Sequence, residues 1–88
     1  MDGADFNGVD SYEGLSFQVY PNPAADRVQL AFSQDLTRPL AVQFFDISGK
    51  MVFATTVDNA VSSVDVTSLR PGVYFVKCDN RVVKFIKQ

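Results

Sequence analysis

The stretch Leu69-Arg-Pro-Gly-Val-Tyr-Phe-Val-Lys-Cys-Asp-Asn-Arg-Val-Val-Lys-Phe-Ile-Lys-Gln88 decides the fold. Two β-rich runs flank Asp79-Asn80, and both of those residues tolerate the left-handed backbone that a two-residue type I′ hairpin needs. With that loop, Cys78 faces Arg81, Val76 faces Val83 and Tyr74 faces Phe85 on one side of the ribbon. On the other side Lys77 faces Val82, Phe75 faces Lys84 and Val73 faces Ile86. The first side is expected to be a core face. The second is apolar with lysines set into it, an odd surface for a strand pair with nothing further to do.

Upstream of the hairpin the alternation recurs in short pieces. Residues 15–20 read as a first strand with Phe17 and Val19 on one face. Pro21-Asn22-Pro23 stops it, since neither proline can donate to a ladder and both bias the preceding residue away from helix. Arg27–Phe32 alternates Val28, Leu30 and Phe32 against Arg27, Gln29 and Ala31, the mark of a half-buried strand. Leu40–Asp46 places Leu40, Val42 and Phe44 on one face. Asp46-Ile-Ser-Gly-Lys50 is the next turn, with Gly49 supplying a positive φ, and Met51–Val57 returns from it. Residues 61–66 form a short fifth strand, with Val64 and Val66 inward or Val61 and Ser63 inward. Residues 67–72 turn the chain again, with Leu69 expected to plug the core and Pro71-Gly72 to redirect the backbone. Seven short strands with turn signals about every ten residues predict an all-β, immunoglobulin-like β-sandwich.

Eighty-eight residues make one domain. Valine and phenylalanine are prominent and glutamate occurs once, at Glu13, a balance that disfavours long helices. Residues 1–16 are polar and glycine-rich and read as a linker, leaving 17–88 as the folded domain. Within the linker Asp5, Asn7 and Asp10 hint at a calcium loop, but Val9 stands where a third oxygen ligand belongs and Ser16 replaces the closing glutamate. Met1 is followed at once by Asp2 and Gly3, without the basic or apolar opening of a signal peptide, so the chain is expected to be a segment of a longer precursor. No run of eighteen apolar residues is present.

The net charge of −2 conceals an asymmetry. Residues 1–26 carry Asp2, Asp5, Asp10, Glu13 and Asp26 and no cation, whereas Arg70, Lys77, Arg81, Lys84 and Lys87 crowd the end against Asp79 alone. Lysine on an edge strand discourages aggregation. An acidic chain lacking a second basic surface is a poor nucleic-acid binder, so no nucleic-acid partner is expected. Histidine is absent, which removes the usual general base, proton shuttle and metal ligand. Cys78 has no imidazole to activate it and reads as a small edge residue. The serines and aspartates mark turns and strands, and no glycine-rich phosphate loop exists. The chain is therefore expected to be no enzyme and to need no cofactor or metal. Tyr12 and Tyr20 are left as exposed rings, the feature an ancillary adhesion or carbohydrate-binding sandwich would use. Protein recognition through the final hairpin fits better, because an apolar strip containing cations can bury area and set orientation.

Four blocks resemble a known family, the C-terminal sorting domain of the type IX secretion system, or Por secretion tail. Val19-Tyr-Pro-Asn-Pro23 resembles its opening signature, and Phe44-Phe-Asp-Ile-Ser-Gly-Lys-Met-Val52 its middle strand and aspartate turn. Leu69-Arg-Pro-Gly-Val-Tyr-Phe-Val76 resembles the segment carrying Leu69, Gly72 and Tyr74, and Lys84-Phe-Ile-Lys-Gln88 the terminal lysine-containing strand. The blocks occur in the expected order over residues 17–88. The resemblance implies a seven-stranded immunoglobulin-like sandwich that acts as a transport signal. It also implies partners: an outer-membrane translocon, its shuttle protein, and a sortase-like cysteine protease. On this resemblance, cargo is expected to pass through the periplasm and across the outer membrane to the cell surface or medium. The resemblance further implies that the tail is usually removed in or near the linker, before Phe17, with the cargo then attached to an anionic lipopolysaccharide.

On these readings Gly49 and Gly72 serve backbone freedom at turns, Pro21 and Pro23 end a strand and isolate an edge, and Tyr74 is a core residue with its hydroxyl bonded at the sandwich margin. Asn22, Asp46, Lys50 and Leu69 belong to the motif framework. The candidate recognition residues are Val73, Phe75, Lys77, Val82, Lys84, Ile86 and Lys87. Lys84 is the sharpest of them, since a docked partner can bury its stem and meet its charge. A terminal strand with an open edge can also pair or swap with a second copy, giving a homodimer.

Overall fold

The computed structural model describes residues 14–88; Asp5, Asn7, Asp10 and Tyr12 lie outside the described residues. Seven strands and no helix make up the described chain: β1 (Phe17–Tyr20), β2 (Arg27–Phe32), β3 (Leu40–Asp46), β4 (Met51–Val57), β5 (Val61–Asp65), β6 (Gly72–Cys78) and β7 (Arg81–Lys87). They form a three-stranded sheet in the order β1-β2-β5 and a four-stranded sheet in the order β4-β3-β6-β7, antiparallel throughout. The two sheets pack as a sandwich, the architecture expected from seven short alternating strands.

The core is the inward parity of every strand. Phe17, Val19, Val28, Leu30, Phe32, Leu40, Val42, Phe44, Val64, Tyr74, Val76 and Phe85 are buried, with Val66 and Leu69 closing the turn that leads into β6. Each full burial of a valine, leucine or phenylalanine contributes about 1.5–3 kcal/mol. Phe44 is the hub. Its ring meets Phe53 edge-on at 5.5 Å and Phe85 edge-on at 6.0 Å, and Phe85 lies 6.1 Å from Tyr74. In the other sheet Phe17 and Phe32 stack tilted at 5.6 Å, as their direct cross-strand pairing requires.

Several details depart from the sequence reading. Pairing of the first strand begins at Phe17, yet Leu15 is 2% exposed and belongs to the core, so packing reaches into the stretch read as linker. Ser16 is tied in as well: its N–H donates to Ser33 Oγ and its carbonyl accepts from Ser33 N. The fifth strand stops at Asp65, with Ser62, Val64 and Val66 inward and Val61 exposed. Cys78 is a fully buried core residue and no edge residue. The parity of the hairpin demanded this, since Cys78 shares a face with Tyr74 and Val76. The hairpin register is the expected one, pair for pair from Cys78↔Arg81 to Val73↔Ile86. Its loop differs: Asp79 has a φ of 58°, and Asn80 is not among the residues with positive φ. Positive φ at the first central position alone is the pattern of a type II′ turn and not of type I′.

The Asp46–Lys50 turn shows how a five-residue motif writes its own conformation. Asp46 Oδ1 accepts from Ser48 N (2.9 Å), Ser48 Oγ (2.6 Å) and Lys50 N (3.1 Å), while Asp46 N donates to Lys50 O. Gly49 sits at a φ of 88°, a region that side-chain-bearing residues rarely adopt. The pairing then shifts register, Phe44 opposing Phe53 and Phe45 opposing Met51, so that Val52 is the extra residue of a bulge.

Candidate functional site

The four-stranded sheet has an outer face, and the final hairpin supplies half of it. Val73, Phe75 and Lys77 on β6 stand beside Ile86, Lys84 and Val82 on β7, each in a direct cross-strand pair. All but half-buried Val73 are exposed. The sequence-derived recognition residues therefore do come together, with one correction. Lys87 shares the parity of Phe85, points to the core side and is buried, its Nζ donating to Gln88 O at 2.9 Å. It is removed from the surface.

The face extends beyond the hairpin. Phe45 on β3 lies directly across from Phe75, and Met51 on β4 lies across from Phe45. One transverse row thus runs Met51–Phe45–Phe75–Lys84, and the next runs Ala54–Gln43–Lys77–Val82. Phe45 and Met51 escaped the sequence reading of the site, although the Phe44-Phe45 doublet carried the signal: in a strand, one ring of an adjacent pair must face outward. Beside Val73 the surface dips into a hollow of about 300 Å³ lined by Ile47, Pro71, Arg70 and Tyr74. Ile47 at its rim is 78% exposed. None of the outward strand positions of this sheet is an aspartate or glutamate.

The opposite outer face is different. On β1, β2 and β5 the outward positions are Gln18, Tyr20, Arg27, Gln29, Ala31, Val61, Ser63 and Asp65, with Arg27 directly across from Asp65. Tyr20 is exposed, as expected for a free ring. The two faces of one small sandwich thus differ in kind: one is mixed and largely polar, the other mainly apolar, with Gln43, Thr56, Lys77 and Lys84 as its polar positions.

The motif residues explain how the apolar face is held. Tyr74 is buried and its hydroxyl donates to Arg70 O at 2.6 Å, so its polar tip is satisfied at the margin and pins the turn that leads into β6. Leu69 plugs the same end of the core. Gly72 opens β6 opposite Lys87. The Asp46 carboxyl is held below its usual range, first by the Ser48 hydroxyl bond and then by the Lys50 N–H; Lys50 itself is exposed. Pro21 and Pro23 end β1, both preceded by cis peptide bonds, and between them Asn22 reaches across to β7. That reach is silent in the sequence, because the partners lie 62 and 64 residues away.

Burial, with a smaller contribution from Asp79, pushes the Cys78 thiol up to about 12, so it stays protonated and inert at neutral pH. Among the described residues no group of three potential metal ligands is present, and no helix is long and apolar enough to cross a membrane.

Among curated proteins none matches the sequence. The fold is similar to part of the solved structure of AaCel9A in complex with cellobiose-like isofagomine, with a TM-score of 0.56 and 19% identity over 84% of this chain. The match spans 14% of that longer chain, and at this identity the likeness is one of fold alone. The model of the secretion system C-terminal sorting domain matches residues 18–88, the stretch that contains all seven strands but for the first residue of β1. The chain belongs to this family of type IX secretion sorting domains.

Proposed function

We propose that this sorting signal is read as a folded surface, the outer face of the four-stranded sheet, and not as a linear tag. Membership of the family makes the chain a signal for type IX secretion that interacts with the secretion machinery and is exported across the outer membrane. The observation that carries the finer reading is the asymmetry of the sandwich: Phe45, Val73, Phe75, Val82 and Ile86 form a contiguous apolar surface with Lys77 and Lys84 inside it, while the other sheet shows a mainly polar exterior. Apolar contact supplies binding energy and embedded cations set orientation. The partner surface is accordingly apolar with carboxylates placed for the two lysines, which fits an outer-membrane translocon or its shuttle protein. The hollow beside Val73 suits an anchoring side chain of that partner.

In this reading the domain is no enzyme. A histidine-free sequence and an inert, buried Cys78 support that. The signal acts after passage of the cargo into the periplasm. Cleavage by a sortase-like protease falls ahead of the packed sandwich, before Leu15, since that residue and those after it are engaged in the core. Attachment of the cargo to the cell surface then follows.

The test is a cargo reporter fused to the full chain in a host with the pathway, carrying Phe75→Ser or Lys84→Glu. Both positions are exposed, so the fold is expected to survive. Loss of an aromatic anchor weakens recognition by about 2 kcal/mol, or roughly thirtyfold, and surface delivery is expected to drop accordingly. Normal delivery of both folded variants sinks the reading. Export failure joined to glycan binding by the wild-type domain supports an adhesion or carbohydrate-binding module in its place.

A further inference from the structure

Asn22 makes contacts that a strand-ending turn does not need. Its Nδ2 donates to Lys84 O at 3.0 Å and its Oδ1 accepts from Ile86 N at 2.9 Å. In the β6–β7 hairpin, residues 81, 83, 85 and 87 exchange backbone bonds with β6, so residues 82, 84, 86 and 88 direct theirs outward. The amide of Asn22 therefore binds the free edge of the terminal strand, offering one donor and one acceptor as a peptide unit does. The backbone completes the match: Ala24 N donates to Ile86 O at 2.9 Å, Gln88 N donates to Ala24 O at 2.8 Å, and Ala24 bridges Lys87 in the parallel sense. A three-residue segment stands in for an eighth strand.

The two residues whose main chain Asn22 grips are Lys84 and Ile86, and their side chains lie on the apolar face. Asn22 itself is exposed and takes no part in the core. We infer that Asn22 is a positioning residue for recognition: it fixes the free edge of β7 so that Lys84 and Ile86 are presented in one arrangement. It also ties that strand to the connection between β1 and β2. The inference rests on the outer face being the surface that is read. It has a corollary for self-association, because strand-to-strand pairing of two copies over residues 84–88 must first displace Asn22 and Ala24. The arrangement directs a partner to the face of β7 and away from its edge.

The experiment compares Asn22→Ala, Asn22→Asp and Lys84→Glu in the full chain, by amide hydrogen exchange on the domain and by surface delivery of a fused reporter. In Asn22→Ala the Ile86 amide is expected to exchange roughly three- to tenfold faster, the worth of one net hydrogen bond, while the Val76 and Phe85 amides keep wild-type protection. Delivery is expected to fall toward that of Lys84→Glu. Asn22→Asp keeps the acceptor for Ile86 and loses the donor for Lys84, so it is expected to fall less. An accelerated Ile86 amide with wild-type delivery overturns the positioning role, as does an Ile86 amide that exchanges at the wild-type rate. Should Asn22→Ala lower protection throughout the domain, Asn22→Asp decides, and its wild-type delivery overturns the inference. Normal delivery of Lys84→Glu removes the face reading itself; loss there with normal delivery of folded Asn22 variants removes the role of Asn22 alone.

Discussion

Two aspartates work as local staples at two separate turns. Asp46 gathers Ser48 and Lys50, and Asp65 Oδ1 accepts from Thr67 N at 2.9 Å and Thr67 Oγ1 at 2.7 Å. These bonds favour the charged form and lower both carboxyl groups from 3.8: for Asp46 the Ser48 hydroxyl is the largest cause, for Asp65 the Thr67 N–H, with Arg27 adding a smaller pull. A carboxyl whose folded value lies below its unfolded one stabilises the fold above the unfolded value and loses that contribution as pH falls through the folded one. The denaturant midpoint is thus expected to stay level from about pH 7 to about pH 5 and to decline below about pH 4. Asp65 is exposed and Asp46 only half-buried, so the decline is gentle. Unfolding titrations of the wild type and of Asp46→Asn/Asp65→Asn check this; the double variant should show the shallower acid slope. An identical slope would remove these carboxylates as its source.

Turns and strands were legible where their chemistry is local. The bounds of β2, β3 and β4 and the whole register of β6 with β7 follow from alternation plus the nearest glycine, asparagine or aspartate. Gly49 shows why: its φ of 88° is dictated by the turn, and a Cβ there would meet nothing within 4 Å. Gly49→Ala is therefore a purely conformational change, expected to cost about 1–2 kcal/mol. Denaturant unfolding measures it, and a neutral result would mean that the turn relaxes to a different type. Other features resisted reading. The type of the closing turn depends on which of two permissive residues takes the positive φ, and Asp79-Asn80 is ambiguous on composition. The β3–β4 bulge at Val52 was invisible because both neighbours, Met51 and Phe53, are apolar and alternation continues plausibly through either. Lys87 was misplaced because charge suggested surface, whereas its parity with Phe85 places it inward.

Phe44 and Phe75 stand on opposite faces of the same sheet, one at the centre of the core and one on the exposed side. Phe44→Ala is expected to cost about 3–5 kcal/mol, from lost burial and from the cavity left beside Phe53 and Phe85. That is a large share of the roughly 5–15 kcal/mol available to a domain, and for so small a one the lower end applies. Thermal unfolding should show a steep drop in Tm, and surface delivery should fail with it. Phe75→Ser, by contrast, should leave Tm within a few degrees and still impair delivery. The pair separates loss of the body from loss of the surface it presents. Unchanged Tm in Phe44→Ala would contradict the placement of the core.

Alternation, turn residues and the order of four short motifs were enough to establish seven strands, the inward faces of most of them, the pairing of the last two and the family to which the chain belongs. Each of these is a local property, encoded within a few residues and repeated along the chain. Which strands neighbour one another across β3, β4 and β6, and hence that Phe45 and Met51 continue the surface begun by Phe75, emerged only once the sheets were assembled. The grip of Asn22 on Lys84 and Ile86 is of the same kind. Contacts between residues more than sixty positions apart leave no periodic trace in a single sequence, since they arise from how two sheets close around one core and not from any preference of the residues that make them.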